Sequence, residues 1–253
     1  FLSQGKNIPL NMVPLVIECE FDDFDRCFYG AGNQWNVTKP RLIADVLTLD
    51  NALQNSFAKH VLDGRSLPYM MHGLYSLKAT ITSPGQYTLP INRGFSRLST
   101  VYFSFIDEGK ETTEFFHPMF RYNTPGDAAS GLVANTEAND DLSWNIQCGS
   151  DRYPQFDCDS IGESFHRLRM AQLIHQGSDS FSISSGQYRT NKAIFAMNLE
   201  KCPGVAGHSG INTRSGSQLS LNFRNLGTAK QIHVVLHFDQ VVSCSASGVD
   251  VMT

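Results

Sequence analysis

Strict alternation of apolar and polar residues recurs along almost the whole chain, and it constrains the fold more than any other feature. A period of two places every second side chain on one face of an extended strand. Leu15, Ile17, Cys19 and Phe21 alternate with Val16, Glu18, Glu20 and Asp22, as expected for a strand with one buried and one acidic face. Residues 42–49 are apolar on both sides, which suits an inner strand. Further alternating runs fall at Leu74–Ile81, Val101–Ile106, Leu142–Cys148, Leu219–Arg224 and Ile232–Phe238, with a short apolar run at Ile194–Leu199. Ser83-Pro84-Gly85-Gln86 has Pro and Gly where a type II turn wants them. Only two segments carry helical spacing. Asp50 can cap a helix through Leu53, Phe57 and Val61 that stops at Gly64. Ser160 and Glu163 form an S-x-x-E capping box for a second helix, Ser160–His175.

These segments predict an all-β protein with short helices in excursions between strands. The stretch Asp107–Asp141 has little periodicity and holds Asn-Thr-Pro-Gly-Asp and Asn-Asp-Asp. It reads as a linker or long loop that divides the strands into a front set and a back set. Two β-sandwich modules in tandem are therefore expected, residues 1–108 and 109–253.

Composition narrows the function classes. Ser, Thr, Asn and Gln number 67 against 44 charged residues, and the net charge is −4. A strongly basic nucleic-acid binder is excluded. Arg152, Arg167 and Arg169 beside the second helix are too few to imply one. No apolar run reaches the ~20 residues of a membrane-spanning helix, and no signal-peptide pattern is present. The six cysteines, at 19, 27, 148, 158, 202 and 244, include no C-x-x-C pair and read as reduced thiols. Asn36-Val37-Thr38 is a lone glycosylation-type sequon.

The usual catalytic patterns are missing: no G-x-S-x-G, no P-loop, no H-E-x-x-H and no complete G-x-G-x-x-G. His233 and His237 fall in a strand, where four residues span about 13 Å, too far to share an ion. Glu18, Glu20, Asp22, Asp23 and Asp25 lack the glycine and closing Glu of an EF-hand loop, and read as a solvated strand face. No catalytic, cofactor-binding or metal-ligating residue is assigned, no cofactor is expected, and the chain is not read as an enzyme. Tyr69–His72 and Phe115–Phe120 are aromatic runs suited to a core or to a protein–protein surface. Pro118 interrupts any ladder through the second run, so part of it is expected to pack against another module or subunit.

The back half holds an ordered series of landmarks. Leu142-Ser-Trp-Asn-Ile-Gln-Cys-Gly-Ser150 precedes Tyr153-Pro154 and then Gly162-Glu-Ser-Phe165. Ala193–Leu199, Ser209-Gly-Ile-Asn-Thr213, Gln218–Phe223 and Ile232–Asp239 follow. This series resembles the second jelly roll of the double jelly-roll major capsid proteins of eukaryotic DNA viruses and Polinton or virophage-like elements. In front, Ile8-Pro9-Leu10, Pro14–Ile17, Leu89-Pro90 and Leu98–Phe105 resemble the latter part of the first jelly roll, whose opening strands are not found ahead of them. The resemblance implies a structural protein that trimerises into pseudo-hexameric capsomers and builds an icosahedral virion shell, assembled inside the host cell. Its partners would be copies of itself and minor capsid or penton proteins. The competing class is a jelly-roll carbohydrate- or receptor-binding module, with Trp35, Trp144 and the sequence's many Asn as its candidate contacts.

Overall fold

The computed structural model describes residues 7–8, 10, 15–21, 36–81, 85–107, 142–176, 183–190, 192–201, 210–226, 230–246 and 248–252. The chain divides into two compact units, Gly73–Asp239 and Phe1–His72 with Gln240–Thr253.

In chain order the elements are helix α1 (Asn51–Leu62) and strands β1 (Leu67–Ile81), β2 (Gly85–Ile91), β3 (Leu98–Asp107), β4 (Ser143–Cys148) and β5 (Asp151–Cys158). Helices α2 (Ile161–Gln176) and α3 (Ser185–Thr190) come next, then β6 (Phe195–Asn198), β7 (Leu219–Leu226), β8 (Lys230–Ser245) and β9 (Gly248–Met252). One sheet runs β1-β8-β3-β6, with β9 added to β8, and the other runs β2-β7-β4-β5. First pairs with eighth, second with seventh, third with sixth and fourth with fifth. The pairings are antiparallel, for example Leu89 opposite Leu221, Val101 opposite Met197 and Trp144 opposite Cys158. A long hairpin rolled up on itself in this way is the eight-stranded jelly roll.

That roll corrects the expected boundary at 108/109. β2 and β3 lie before it, yet β2 pairs with β7, and β3 with β6 and β8. The front and back strands therefore close one sandwich. Nested pairing joins strands remote in sequence, so a long connection between the third and fourth strands reads like a linker. Leu89-Pro90 and Leu98–Phe105 accordingly belong to the same roll as the back-half landmarks. The stretch from 108 to 141, with the Phe115–Phe120 run, lies outside the described residues.

Side-chain alternation builds the core between the sheets. Val101, Phe103 and Phe105 of β3 and Ile232, Val234, Leu236 and Phe238 of β8 are buried. They face Trp144 and Ile146 of β4 and Leu219, Leu221 and Phe223 of β7. Phe103 is the hub: its ring lies 4.9 Å from Phe195, 5.1 Å from Trp144 and 5.4 Å from Phe223. Edges are managed by chemistry. β2 and β5 end the second sheet and carry Pro90 and Pro154, residues a central strand excludes. At β6, the edge of the first sheet, α2 packs against the strand. Trp144 Nε1 donates to the buried Ser164 Oγ of α2 (3.1 Å), tying helix to core.

Both expected helices are present with their caps. Asp50 accepts from the Leu53 N–H at 2.8 Å, and Gly64 follows α1 with φ +77°. Ser160 Oγ accepts from the Glu163 N–H at 3.2 Å. The reciprocal half of that box is spent elsewhere, since Glu163 pairs with Arg167 one turn on. Helix α3 and strands β2, β5 and β9 were not expected. Two expected strands are not there. Residues 15–21 and 36–50 have no ladder partners, and Val16, Leu42, Ile43 and Val46 are 84%, 68%, 91% and 77% exposed. Alternation makes a strand possible, but only a neighbouring edge completes its backbone hydrogen bonds. Asp22, Asp23 and Asp25 of the acidic cluster lie outside the described residues.

Candidate functional site

Three surfaces carry the chain's chemistry, and they are built differently. The first is the outward face of the β2-β7-β4-β5 sheet. Side chains that alternate with the core residues point away from the core, and on β4 two of them, Ser143 and Asn145, are themselves buried among their neighbours. One row of them is joined across all four strands. Thr88 Oγ1 donates to Asn222 Oδ1 (2.9 Å), Asn222 Nδ2 to Asn145 Oδ1 (2.9 Å), and Asn145 Nδ2 to Asp157 Oδ1 (2.7 Å). Strand register sets this row directly, because Thr88 sits opposite Asn222 and Asn222 opposite Asn145. Each carboxamide donates toward the carboxylate, so the bonds polarise one another in one direction. Asp157 ends the row and is flanked by Arg224 at 3.2 Å and Arg152 at 3.9 Å. The face is thus polar, cross-linked and locally charge-balanced.

The second is one end of the sandwich, where the β2–β3 loop meets the segment leading into β7. Leu98 and Ile211 exchange both backbone hydrogen bonds at 2.9 Å. Thr213 N donates to Phe95 O (2.8 Å), while the Phe95 N–H donates to Thr213 Oγ1 (2.7 Å). Gly210 is required by this closeness: a Cβ there would lie 2.5 Å from Leu98 O and 2.6 Å from Arg97 C. Asn212 Oδ1 then accepts from the Arg214 N–H at 2.9 Å. Residues Gly210–Thr213 of that landmark therefore form a clamp between loops. Beside it opens a cleft of about 450 Å³ lined by Ile91, Asn92, Arg93, Gly94, Thr213, Arg214, Gly216, Ser217, Gln218 and Leu219.

The third is the segment from Leu15 to Leu62. Most of the exposed large apolar side chains among the described residues lie there, including Leu42, Ile43, Val46, Leu47 and Leu62. Of α1, Val61 is buried, while Leu53 and Phe57 are exposed. Met70 and Leu74 of β1 are also exposed, whereas Tyr69 and Met71 are half-buried.

His233 and His237 alternate with the buried Ile232, Val234, Leu236 and Phe238 along β8 and are half-buried. Ser99 Oγ donates to the His237 carbonyl at 2.8 Å and lies 2.9 Å from its Nδ1. Trp144 is 1% exposed, packed edge-on against Phe103 and Phe195, so it cannot serve as a sugar platform. Trp35 lies outside the described residues. Arg152 and Arg167 are held by Asp157 and Glu163. Cys19, Cys148, Cys158 and Cys244 are free thiols, all but Cys19 buried. Burial pushes the Cys158 thiol up to about 11, against a smaller opposing effect of its Ser164 contact, and raises Cys148 and Cys244 too. Thiols shifted this way are poor nucleophiles. Burial likewise pushes Tyr102 up to about 12. Among the described residues no group of three His, Cys, Asp or Glu is placed to hold a metal ion. No helix among them is long and apolar enough to cross a membrane.

The nested pairing of eight strands defines the class of the fold as a jelly roll. No family model matches the sequence, and no curated protein does. Solved structures of similar fold include PBCV-1 VP54 fitted into a reconstruction of the virophage Sputnik, at 13% identity and TM-score 0.48, covering 81% of this chain and 55% of that one. They also include the PBCV-1 virus capsid, at 12% identity and TM-score 0.45 with the same coverage. The Sputnik virophage itself matches at 13% identity and TM-score 0.36, covering 74% of this chain and 38% of that one. The chain spans about half the length of the first two. At identities this low the likeness concerns the fold alone.

Proposed function

We propose that this chain is a non-enzymatic shell subunit, a major capsid protein that trimerises into pseudo-hexameric capsomers of an icosahedral virion, assembled inside the host cell. The observation that carries this reading is the concentration of exposed apolar side chains between Leu15 and Leu62, next in sequence to a sandwich that buries its own apolar residues. Exposed large apolar side chains concentrated in one segment favour protein–protein contact. Jelly rolls serve as viral capsid and lectin domains, and the lectin reading has lost Trp144 to the core. In the proposal each subunit contributes two rolls. The second is Leu67–Ser245, and the segment ahead of Leu67 belongs to the first and presents its exposed apolar side chains to neighbouring copies. Copies of the chain and minor capsid or penton proteins are the partners. Negative-stain electron microscopy of the purified protein tests the reading. Hexagonal tiles or closed particles support it, while dispersed small oligomers at high protein concentration contradict it.

A further inference from the structure

We infer that β9 is a strand-accepting edge, and that residues 42–49 of a second copy of this chain add to it as a further strand. The inference rests on the shell-subunit reading and names one contact behind it. The edges of the two sheets point to β9. β2 and β5 carry Pro90 and Pro154, α2 packs against β6, and β1 carries Pro68 and Lys78. Proline and lysine are usual guards of a sheet edge. β9 has neither. Its pairing with β8 runs in unbroken register from Ser245–Gly248 to Val241–Met252, with no bulge to turn it away. All five of its residues are exposed, and no other described strand lies on its far side.

Backbone parity shows which groups of β9 await a partner. Only two residues separate Ser245 from Gly248, so that opposed pair is of the kind that exchanges both hydrogen bonds. Hydrogen-bonded and non-hydrogen-bonded pairs alternate along an antiparallel ladder. Gly248, Asp250 and Met252 therefore turn their N–H and C=O groups toward β8, and Val249 and Val251 turn theirs outward. The side chains of Val249 and Val251 are exposed as well. An exposed apolar edge with open backbone groups is a template for another strand, whose main chain supplies the missing bonds.

Two runs of the chain alternate and join no ladder, residues 15–21 and 42–49. Charge selects between them. Asp250 is the single charge of β9. Residues 15–21 would bring Glu18 and Glu20 beside it, and like charges across strands repel. Residues 42–49 carry one acid, Asp45, and follow two cations, Lys39 and Arg41. Among the described residues neither Arg41 nor Asp250 holds an ion pair. The run also has the length of a strand. Pro40 and the left-handed Lys39 (φ +54°) bound it in front, and Asp50, the cap of α1, bounds it behind. Its apolar side chains are exposed on both faces, Leu42 and Val46 on one, Ile43 and Leu47 on the other. Within one copy the run and β9 stay unpaired, so the donor is another copy. A donor run and an acceptor edge on the same chain make a head-to-tail contact, the kind that closes rings.

The test uses the whole chain. Val251→Pro removes an outward N–H and spares the β8 ladder, whereas Val251→Thr keeps that N–H. In native mass spectrometry Val251→Pro should raise the concentration needed for assembly about tenfold, and Val251→Thr less than about threefold. Melting curves confirm that both variants are folded. Cross-linking then identifies the donor. A chain with Val251→Cys and Cys19→Ser is mixed with one carrying Val46→Cys and Cys19→Ser, and separately with the parent, whose exposed Cys19 lies in residues 15–21. With a short bismaleimide, peptide mapping should find position 251 of one copy joined to position 46 of another, and not to Cys19. The inference is overturned, and the shell-subunit reading kept, if the parent forms trimers that Val251→Pro leaves unchanged. It is equally overturned if the link goes to Cys19, or forms only inside a chain carrying both Val46→Cys and Val251→Cys. A parent that never associates overturns both.

Discussion

The sandwich between Gly73 and Asp239 and the segment between Leu15 and Leu62 have similar sequence texture and opposite fates. Both alternate apolar and polar residues. In the sandwich, each alternating strand has a neighbour in register, and its apolar face closes on the opposite sheet. In the segment, residues 15–21 and 36–50 join no ladder, and Ile43 is 91% exposed. Alternation states which face would be buried; a partner edge decides whether it is. The segment's apolar residues are thus read as groups to be covered in assembly, and the sandwich as the part that stands by its own packing.

The sharpest way to break this contrast is truncation on each side of it. Trp144→Ala removes a ring packed among Phe103, Phe195 and the Ser164 hydroxyl, and should cost about 3–5 kcal/mol in denaturant unfolding. Ile43→Ala should change unfolding by less than about 0.5 kcal/mol while reducing the assembled fraction. Equal costs at both sites would end the distinction.

Glycines sharpen it next. Gly210→Ala drives a methyl into the Leu98 carbonyl and should cost about 1–3 kcal/mol, loosening the loop clamp. Gly64→Ala meets no neighbouring atom, and its cost comes only from φ +77°, about 1 kcal/mol, local to the end of α1. Hydrogen exchange should show protection lost at Phe95, Leu98 and Ile211 in the first variant only.

Strand order could not be read from the pattern, for physical reasons visible in particular residues. β1, β3, β4 and β6–β8 announce themselves because a buried face demands Leu, Ile, Val and Phe at every second position. β2 and β5 do not, since they are edges that tolerate Pro90 and Pro154 and carry Gln86, Thr88, Arg152 and Asp157 outward. The polar row was invisible for the same reason, as its two ends, Thr88 and Asp157, lie in those edges. The clamp was half legible: Ser209–Thr213 stood out as a landmark, but its partner, Phe95–Leu98, is known only from the fold. The two helices were legible because their caps are local chemistry at Asp50 and Ser160.

Those caps give a smaller test. Ser160→Ala should lower the stability of the whole sandwich by about 1 kcal/mol, because α2 is tied to Trp144. Asp50→Ala should reduce the helicity of α1 and leave the sandwich transition where it was.

The mildest effect concerns titration. Cys158 rises to about 11 and Tyr102 to about 12, from ordinary values of 9.0 and 10.0, because burial disfavours their anions. A raised folded value means the unfolded chain releases the proton first. The contribution of Cys158 is therefore complete below pH 9 and lost between 9 and about 11, and that of Tyr102 between 10 and about 12. Cys158→Ala should flatten the lower part of that alkaline decline. At neutral pH a thiol reagent should label Cys19 and spare Cys148, Cys158 and Cys244 until unfolding, as read by peptide mass mapping.

The central claim is that the exposed apolar segment exists to join copies of the chain, and native mass spectrometry of the parent beside Ile43→Asp tests it most directly. A parent trimer at micromolar concentration, shifted to folded monomer by the substitution with an unchanged sandwich transition, is the predicted result. A parent that stays monomeric, or a trimer untouched by Ile43→Asp, would contradict it.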